Sequence, residues 1–162
     1  MSSTLKTLTL EFTRHLKETL GERLVSVVLF GSVAREEAIP VSDIDLLIVV
    51  ENPPAGRRTR LEMIADADKQ LEPKLNELEE SGIHTDFTPI IKSRNEARRF
   101  SPLYLDMVED ALILHDQAHF FTHILAELRN KLSLLKARRL RQGQVRYWDL
   151  KPDFTPGEIF EL

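Results

Sequence analysis

No segment restricts the possible folds of this chain more than residues 25–50. A β-branched apolar run, Val25 to Phe30, stops at Gly31-Ser32. Ten residues later Asp43-Ile44-Asp45 opens a second run, and Leu46 to Val50 is apolar at every position. A strand shows alternate side chains to opposite faces, so five apolar residues in a row need cover on both sides. Such a strand belongs in the middle of a sheet with helices packed above and below. Asp43 and Asp45, two apart, point to one side with backbones about 7 Å apart by the strand rise. Ile44 and Leu46 face the other way. Two like charges entering a wholly apolar strand are unfavourable without compensation, and a divalent cation held by oxygen ligands supplies it. Taken alone, the pair also fits a solvated strand end with Ser42-Asp43 as a turn. Gly31 lets a ligand approach closely, and Ser32 is placed to cap a short helix whose N-terminus collects N–H donors for a phosphate; alone, Gly31-Ser32 also fits a plain strand-to-helix turn.

The helices that this arrangement demands are legible. Leu5, Leu8, Phe12, Leu16 and Leu20 recur at helical spacing before Gly21, predicting a helix over 4–20. Strands are expected at 25–30 and 43–50. Residues 58–80 carry Leu61, Ile64, Leu71, Leu75 and Leu78 at helical spacing, with Pro73 set to kink or split the helix. A third strand is expected over Ile83 to Ile91, damaged at Pro89. A short helix follows from Ser101-Pro102 to about Asp110, then a short strand from Ala111 to Leu114. A long last helix carries Phe121, Ile124, Leu125, Leu128, Leu132 and Leu135, and the tail from Val145 reads as irregular but docked. The order predicts an α/β (α+β) chain with a mixed β-sheet flanked by helices. A length of 162 residues fits one domain, with a core over about 5–115 and the last helix and tail over about 120–162.

Composition narrows the chemistry. With no Cys, a disulfide framework, a cysteine zinc site and a thiol nucleophile are excluded. A net charge of −4 argues against a nucleic-acid coat, and nucleic acid is not expected as substrate. The longest apolar run is Leu46 to Val50, so no membrane span is expected, and Met1-Ser2-Ser3 leads into no signal-peptide core. The expected location is cytoplasmic.

A third carboxylate, Asp86, is placed on the third strand, sharing a face with His84 and Thr88. The stretch from Gly31-Ser32 through Ala34-Arg35 to Ser42-Asp43-Ile44-Asp45 resembles the signature of the DNA polymerase beta-like nucleotidyltransferase superfamily, which is Gly-Ser, a spacer, Asp-x-Asp, and a later third Asp. The ten-residue spacer is similar to that of the minimal nucleotidyltransferases, often encoded beside a helical HEPN protein. Glu36 stands where that family usually has Gly. The resemblance implies a nucleotidyltransferase fold. It implies that Gly31 and Ser32, with Arg35 and Ser42 beside them, bind the nucleotide phosphates. It implies that Asp43 and Asp45 bind two Mg²⁺ ions, and that Asp86 is the third catalytic ligand, reaching only the catalytic metal. The implied reaction moves a nucleoside monophosphate, AMP first among them, from ATP or another NTP to an acceptor hydroxyl. A Tyr of a HEPN toxin is the implied acceptor, which makes this chain an antitoxin. The alternatives are a non-catalytic toxin-neutralising binder and an aminoglycoside-like small-molecule transferase. The sequence leaves base preference and oligomeric state open.

Other signals weigh less. His115, His119 and His123 would share a helix face, but the strand expected before His115 breaks that premise. Seven basic and no acidic residues lie between Arg129 and Arg146. A helix there would leave Lys136, Arg138, Arg139 and Arg141 free to dock an acidic partner. Tyr147, Trp148, Phe154 and Phe160 read as anchors for the tail.

Overall fold

β1 (Leu24–Phe30) is buried at every position, as its composition requires. In the computed structural model, which describes residues 1–143, 145–155 and 157–162, it lies between two antiparallel neighbours, β2 (Ile44–Val50) and β4 (Leu112–Asp116). β3 (Phe87–Ser93) runs parallel to β2 on its outer side, giving a mixed sheet of order β3-β2-β1-β4.

Both sheet faces are covered. On one, α1 (Ser2–Leu20) turns Leu5, Leu8, Phe12 and Leu16 onto Leu46, Ile48 and Val50, beside Ile64 and Ala67 of α3 (Arg57–Lys69). Leu75 and Leu78 of α4 (Glu72–Glu80) pack at the edge of this layer. Phe12 stacks on Phe87 with ring centres 4.2 Å apart. On the other face, Tyr104 and Met107 of α6 (Leu103–Asp110) and Phe121 and Leu125 of α7 (Phe120–Leu134) cover Leu47 and Val49. Alternation along β2 sends even-numbered residues to one layer and odd-numbered residues to the other, so Asp45 lies on the same side as Leu47 and Val49.

Several boundaries differ from the sequence reading. Pro73 splits the predicted helix: α3 stops at Lys69, and α4 places Pro73 in its first turn, where a missing N–H is harmless. β3 begins at Phe87, four residues later than expected, and Pro89 is tolerated because β3 is an edge strand with an unpaired side. The expectation that Asp86 lies within that strand is corrected, since it is the residue before it. α5 (Arg94–Ala97) was not foreseen. It is nucleated by a capping box in which Ser93 Oγ accepts from Glu96 N at 3.1 Å and Glu96 Oε2 accepts from Ser93 N at 2.7 Å.

The largest correction concerns the C-terminal third. α7 ends at Leu134 and Lys136 takes φ 54°, so the basic segment does not continue as a helix. Instead β5 (Arg138–Gln142) and β6 (Val145–Asp149) pair as an antiparallel hairpin. The tail is therefore more ordered than expected. Trp148 anchors it by packing against the α6–α7 layer and donating its indole N–H to Leu105 O at 3.1 Å. Tyr147 and Phe154 are exposed, which corrects their reading as anchors. No helix is long and apolar enough to cross a membrane among the described residues.

Candidate active site

The site forms where β1 ends and β2 begins. Antiparallel pairing sets Phe30 opposite Asp45. The next residue, Gly31, therefore meets the Asp45 carboxylate and turns with φ +72°. A Cβ on Gly31 would lie 2.1 Å from Asp45 Oδ2, so both the backbone angle and the contact require glycine. From Gly31 the chain enters α2 (Gly31–Ala34), a single turn. Ser32 does not cap it, contrary to expectation: the N-cap is Phe30, no side-chain cap bond forms, and Ser32 lies inside the turn. Ser32 O instead accepts from Glu37 N at 2.9 Å.

Glu36 adopts φ 63°, the left-handed conformation that glycine takes freely. A non-glycine residue there carries about 1–2 kcal/mol of strain. Lys6 of α1 holds the Glu36 carboxylate at 2.7 Å and draws its pKa down, fixing the turn from outside. Arg35 closes α2, and its Nε donates to Glu37 Oε2 at 3.1 Å.

The loop to Asp43 is pinned at three points. Ile39 N donates to Ser42 Oγ at 2.9 Å, His84 N donates to Pro40 O at 2.7 Å, and Thr85 Oγ1 donates to Ser42 O at 2.8 Å. The Ser42 hydroxyl thus shapes the loop through its oxygen, which accepts from Ile39 N. Asp43, expected as the first strand residue, stands exposed just before β2. Asp45 is partly buried and accepts from Thr88 Oγ1 at 2.9 Å. Burial raises its pKa, the Thr88 bond and Arg35 pull it back, and the Asp43 charge raises it further.

Asp86 arrives from the residue just before β3. Ile44 N donates to Asp86 O at 2.8 Å, which sets Asp86 beside the Asp43–Asp45 segment. Its Oδ1 accepts from Phe87 N at 2.7 Å, leaving the second oxygen open. Asp43 and Asp86 line one hollow of about 300 Å³ with Glu79 and His84, while Asp45 abuts Gly31. The Asp86 charge also reaches Asp68, whose pKa is raised first by burial. All three predicted carboxylates thus reach one end of the sheet, although no group of three such side chains is closed up as a metal cage among the described residues. Their donor chemistry suits Mg²⁺, which takes one or two carboxylates, retains waters and shares substrate phosphates. The raised Asp45 pKa is the electrostatic deficit that a bound cation would relieve.

The structure also brings in residues the sequence reading assigned elsewhere. Arg139 is not free to dock a partner: its side chain is 16% exposed and pairs with Glu109 at 2.8 Å and with Asp110. Arg146 pairs with Glu37 and Asp110, and Lys136 pairs with Asp153 at 3.0 Å. The hairpin turns the basic segment back toward α2. The sequence signal is the one-signed charge of residues 129–146, of which only the part up to Leu134 is helical and the later arginines lie on the hairpin. The histidines do not converge: His115 on β4 lies 3.2 Å from Leu24 O, and the rings of His119 and His123 are 6.4 Å apart.

A glycine turn pressed onto a carboxylate, followed by a pinned loop that returns a second carboxylate, marks the junction of β1 and β2 as the candidate site. The chain belongs to the nucleotidyltransferase domain family, which matches residues 11–101, and it is accordingly a nucleotidyltransferase. A protein of Methanocaldococcus jannaschii named "Putative protein adenylyltransferase" is 27% identical over 128 residues, spanning 78% of this chain and 82% of that protein. Two solved structures are also similar. A toxin–antitoxin crystallised with AMP-PNP gives a TM-score of 0.49 at 16% identity, covering 78% of this chain and 90% of its own. A tri-AMPylated Shewanella oneidensis HEPN toxin in complex with MNT antitoxin gives 0.46 at 15% identity, covering 84% and 93%.

Proposed function

We propose that this chain transfers AMP from ATP, with Mg²⁺, to a hydroxyl on a protein, and that a HEPN-family protein is the acceptor, with this chain as its antitoxin. The observation that carries the reading is the contact of Gly31 with Asp45: it ties a phosphate-approach turn to a metal-type carboxylate with no room for any other residue. The relative named as an adenylyltransferase of proteins supports AMP and a protein acceptor. The likeness of residues 31–45 to minimal nucleotidyltransferases supports the HEPN partner.

In this reading the acceptor oxygen bonds to the α-phosphorus as the bond from that phosphorus to the β-phosphate oxygen breaks. Pyrophosphate leaves with that electron pair. Gly31 and Ser32 admit the phosphates closely, and Asp43 and Asp45 would hold the cations. Asp86 would reach only the catalytic cation, helping to activate the acceptor hydroxyl, and its open oxygen takes the hydroxyl proton. Bound Mg²⁺ supplies neutralisation of the phosphate charge. The chain's own task is positioning and electrostatics, as phosphoryl-type transfer requires.

The test is incubation with α-labelled ATP and Mg²⁺, with and without the neighbouring gene's product, followed by mass spectrometry of both chains. An AMP adduct on a Tyr of the partner supports the proposal. Absence of both adduct and pyrophosphate release refutes it.

A further inference from the structure

Beside α2 lies a hollow of about 210 Å³ lined by Arg35, Glu37, Asp106, Arg139, Arg141 and Arg146, every one of them charged. Three of the four arginines come from the β5–β6 hairpin, more than a hundred residues from Arg35 in sequence. Arg35 faces two ways: its side chain lines the hollow, and its backbone N–H closes α2 by donating at 3.2 Å to the carbonyl of Gly31, the residue that abuts Asp45. The hollow therefore lies on the Arg35 side of the carboxylate site. Its lining holds no aromatic or apolar side chain, so it suits neither a base nor a hydrophobic anchor. Guanidinium forks suit anions with several oxygens, phosphate above all.

The structure already shows an anion in that place. The Glu37 carboxylate takes the Arg35 Nε at 3.1 Å and also pairs with Arg146, so two guanidinium groups from distant elements converge on one pair of oxygens. Glu37 sits on the loop after α2 and is well exposed, so it can swing away. Arg139 is committed to Glu109 and Asp110. Arg141, by contrast, makes no ion pair among the described residues, and its Nε donates only to Gly143 O at 2.9 Å.

We propose that the β5–β6 hairpin completes an oligophosphate subsite, in which Arg35, Arg141 and Arg146 take the pyrophosphate end of the nucleotide and Glu37 occupies their forks until it arrives. The subsite rests on the nucleotide reading of the neighbouring carboxylates and extends it to the C-terminal third of the chain, outside residues 11–101. It gives the hairpin a function beyond packing. It also predicts opposite signs for two substitutions, which a structural role would not.

Calorimetric titration of the full chain decides it, with ATP·Mg²⁺, AMP and inorganic tripolyphosphate as probes. Arg141→Gln should weaken ATP and tripolyphosphate about tenfold, the order of one charge-assisted contact, and leave AMP unchanged. Glu37→Gln should tighten both oligophosphates severalfold by removing the competing carboxylate. Equal affinities in wild type and both variants overturn the subsite alone. Equal loss of AMP in Arg141→Gln also overturns it, since the arginine would then not read the pyrophosphate end. Arg141→Gln that binds ATP normally but slows labelling of the protein acceptor would hand the hollow to the acceptor instead. If the wild-type chain binds neither ATP nor tripolyphosphate, the nucleotide reading falls together with the subsite.

Discussion

Replacing Gly31 with Ala separates two penalties that the structure allows to be measured apart. The first is backbone strain, because φ at Gly31 is +72°. An L-residue in that region costs about 1–2 kcal/mol, or roughly 3–6 °C in Tm for a chain of this size. The second is contact: a Cβ 2.1 Å from Asp45 Oδ2 falls about 1.3 Å short of the 3.4 Å at which ordinary contact begins. Something must move by that amount, and the Asp45 carboxylate, with its bond to Thr88, is what stands in the way. Gly82 provides the control, having φ +81° and nothing within 4 Å of its ideal Cβ. Gly82→Ala should therefore show strain alone, with wild-type transfer. Gly31→Ala should lose more Tm than Gly82→Ala and about 100-fold in transfer rate, the cost of displacing a reacting group by about 1 Å. Adding Asp45→Ala to Gly31→Ala should recover the excess stability loss without recovering transfer, a coupling readable in a double-mutant cycle. The assays are thermal denaturation and pyrophosphate release. Equal Tm losses in the two glycine variants, or near-normal transfer by Gly31→Ala, would refute the reasoning.

Three further outcomes are expected. Asp45→Asn should abolish transfer yet raise the Tm of the metal-free chain at pH 7. The raised folded-state pKa means that ionising Asp45 costs stability as pH climbs above 3.8, so the advantage of Asn should disappear below that value; a lower Tm at pH 7 would contradict this. Asp86→Asn keeps an oxygen for Phe87 N, so it should fold and bind ATP·Mg²⁺ within about threefold while losing transfer by about 100-fold or more, the scale of a proton-accepting group. Nucleotide affinity as poor as that of Asp43→Asn would defeat the division of roles. Glu96, bonded to Arg60 and to Ser93 N, has its pKa drawn down from 4.5 to about 2. Its contribution is full above pH 4.5 and lost as pH falls toward 2, and its side chain is 42% exposed, so solvent screening limits it. Glu96→Gln should cost about 1 kcal/mol at pH 7, with the gap closing across that acid window in denaturant titrations.

Legibility followed the range of the interactions. Leu5 to Leu20 on α1 and Leu46 to Val50 on β2 were readable because apolar periodicity reports burial directly. Pro73 announced a break but not that the break would be complete, since the choice depends on what α4 packs against. α5 was missed although Ser93 and Glu96 spell a capping box, because one helical turn has no periodicity to detect. The hairpin was missed for a different reason. Leu128, Leu132 and Leu135 extend a helical pattern, and nothing local says that Lys136 takes a left-handed turn.

The sequence by itself determined the local and chemical content of the site: Gly31 at a strand end, two aspartates flanking Ile44 where a strand begins, of which only Asp45 proved to lie within it, and a third aspartate in reserve. These follow from periods of two and from the conformational freedom of glycine, which are properties of a few neighbouring residues. Only the tertiary structure decided what those residues meet. Antiparallel register brought Phe30 opposite Asp45 and so pressed Gly31 onto the carboxylate, and the parallel ladder with β3 set Asp86 beside Ile44. Chain reversal after α7 carried Arg146 back to Glu37 across 109 residues. Charge has no direction along a sequence. The run from 129 to 146 showed that positive charge would gather, while the fold alone chose whether it would face a partner or line a hollow beside Arg35.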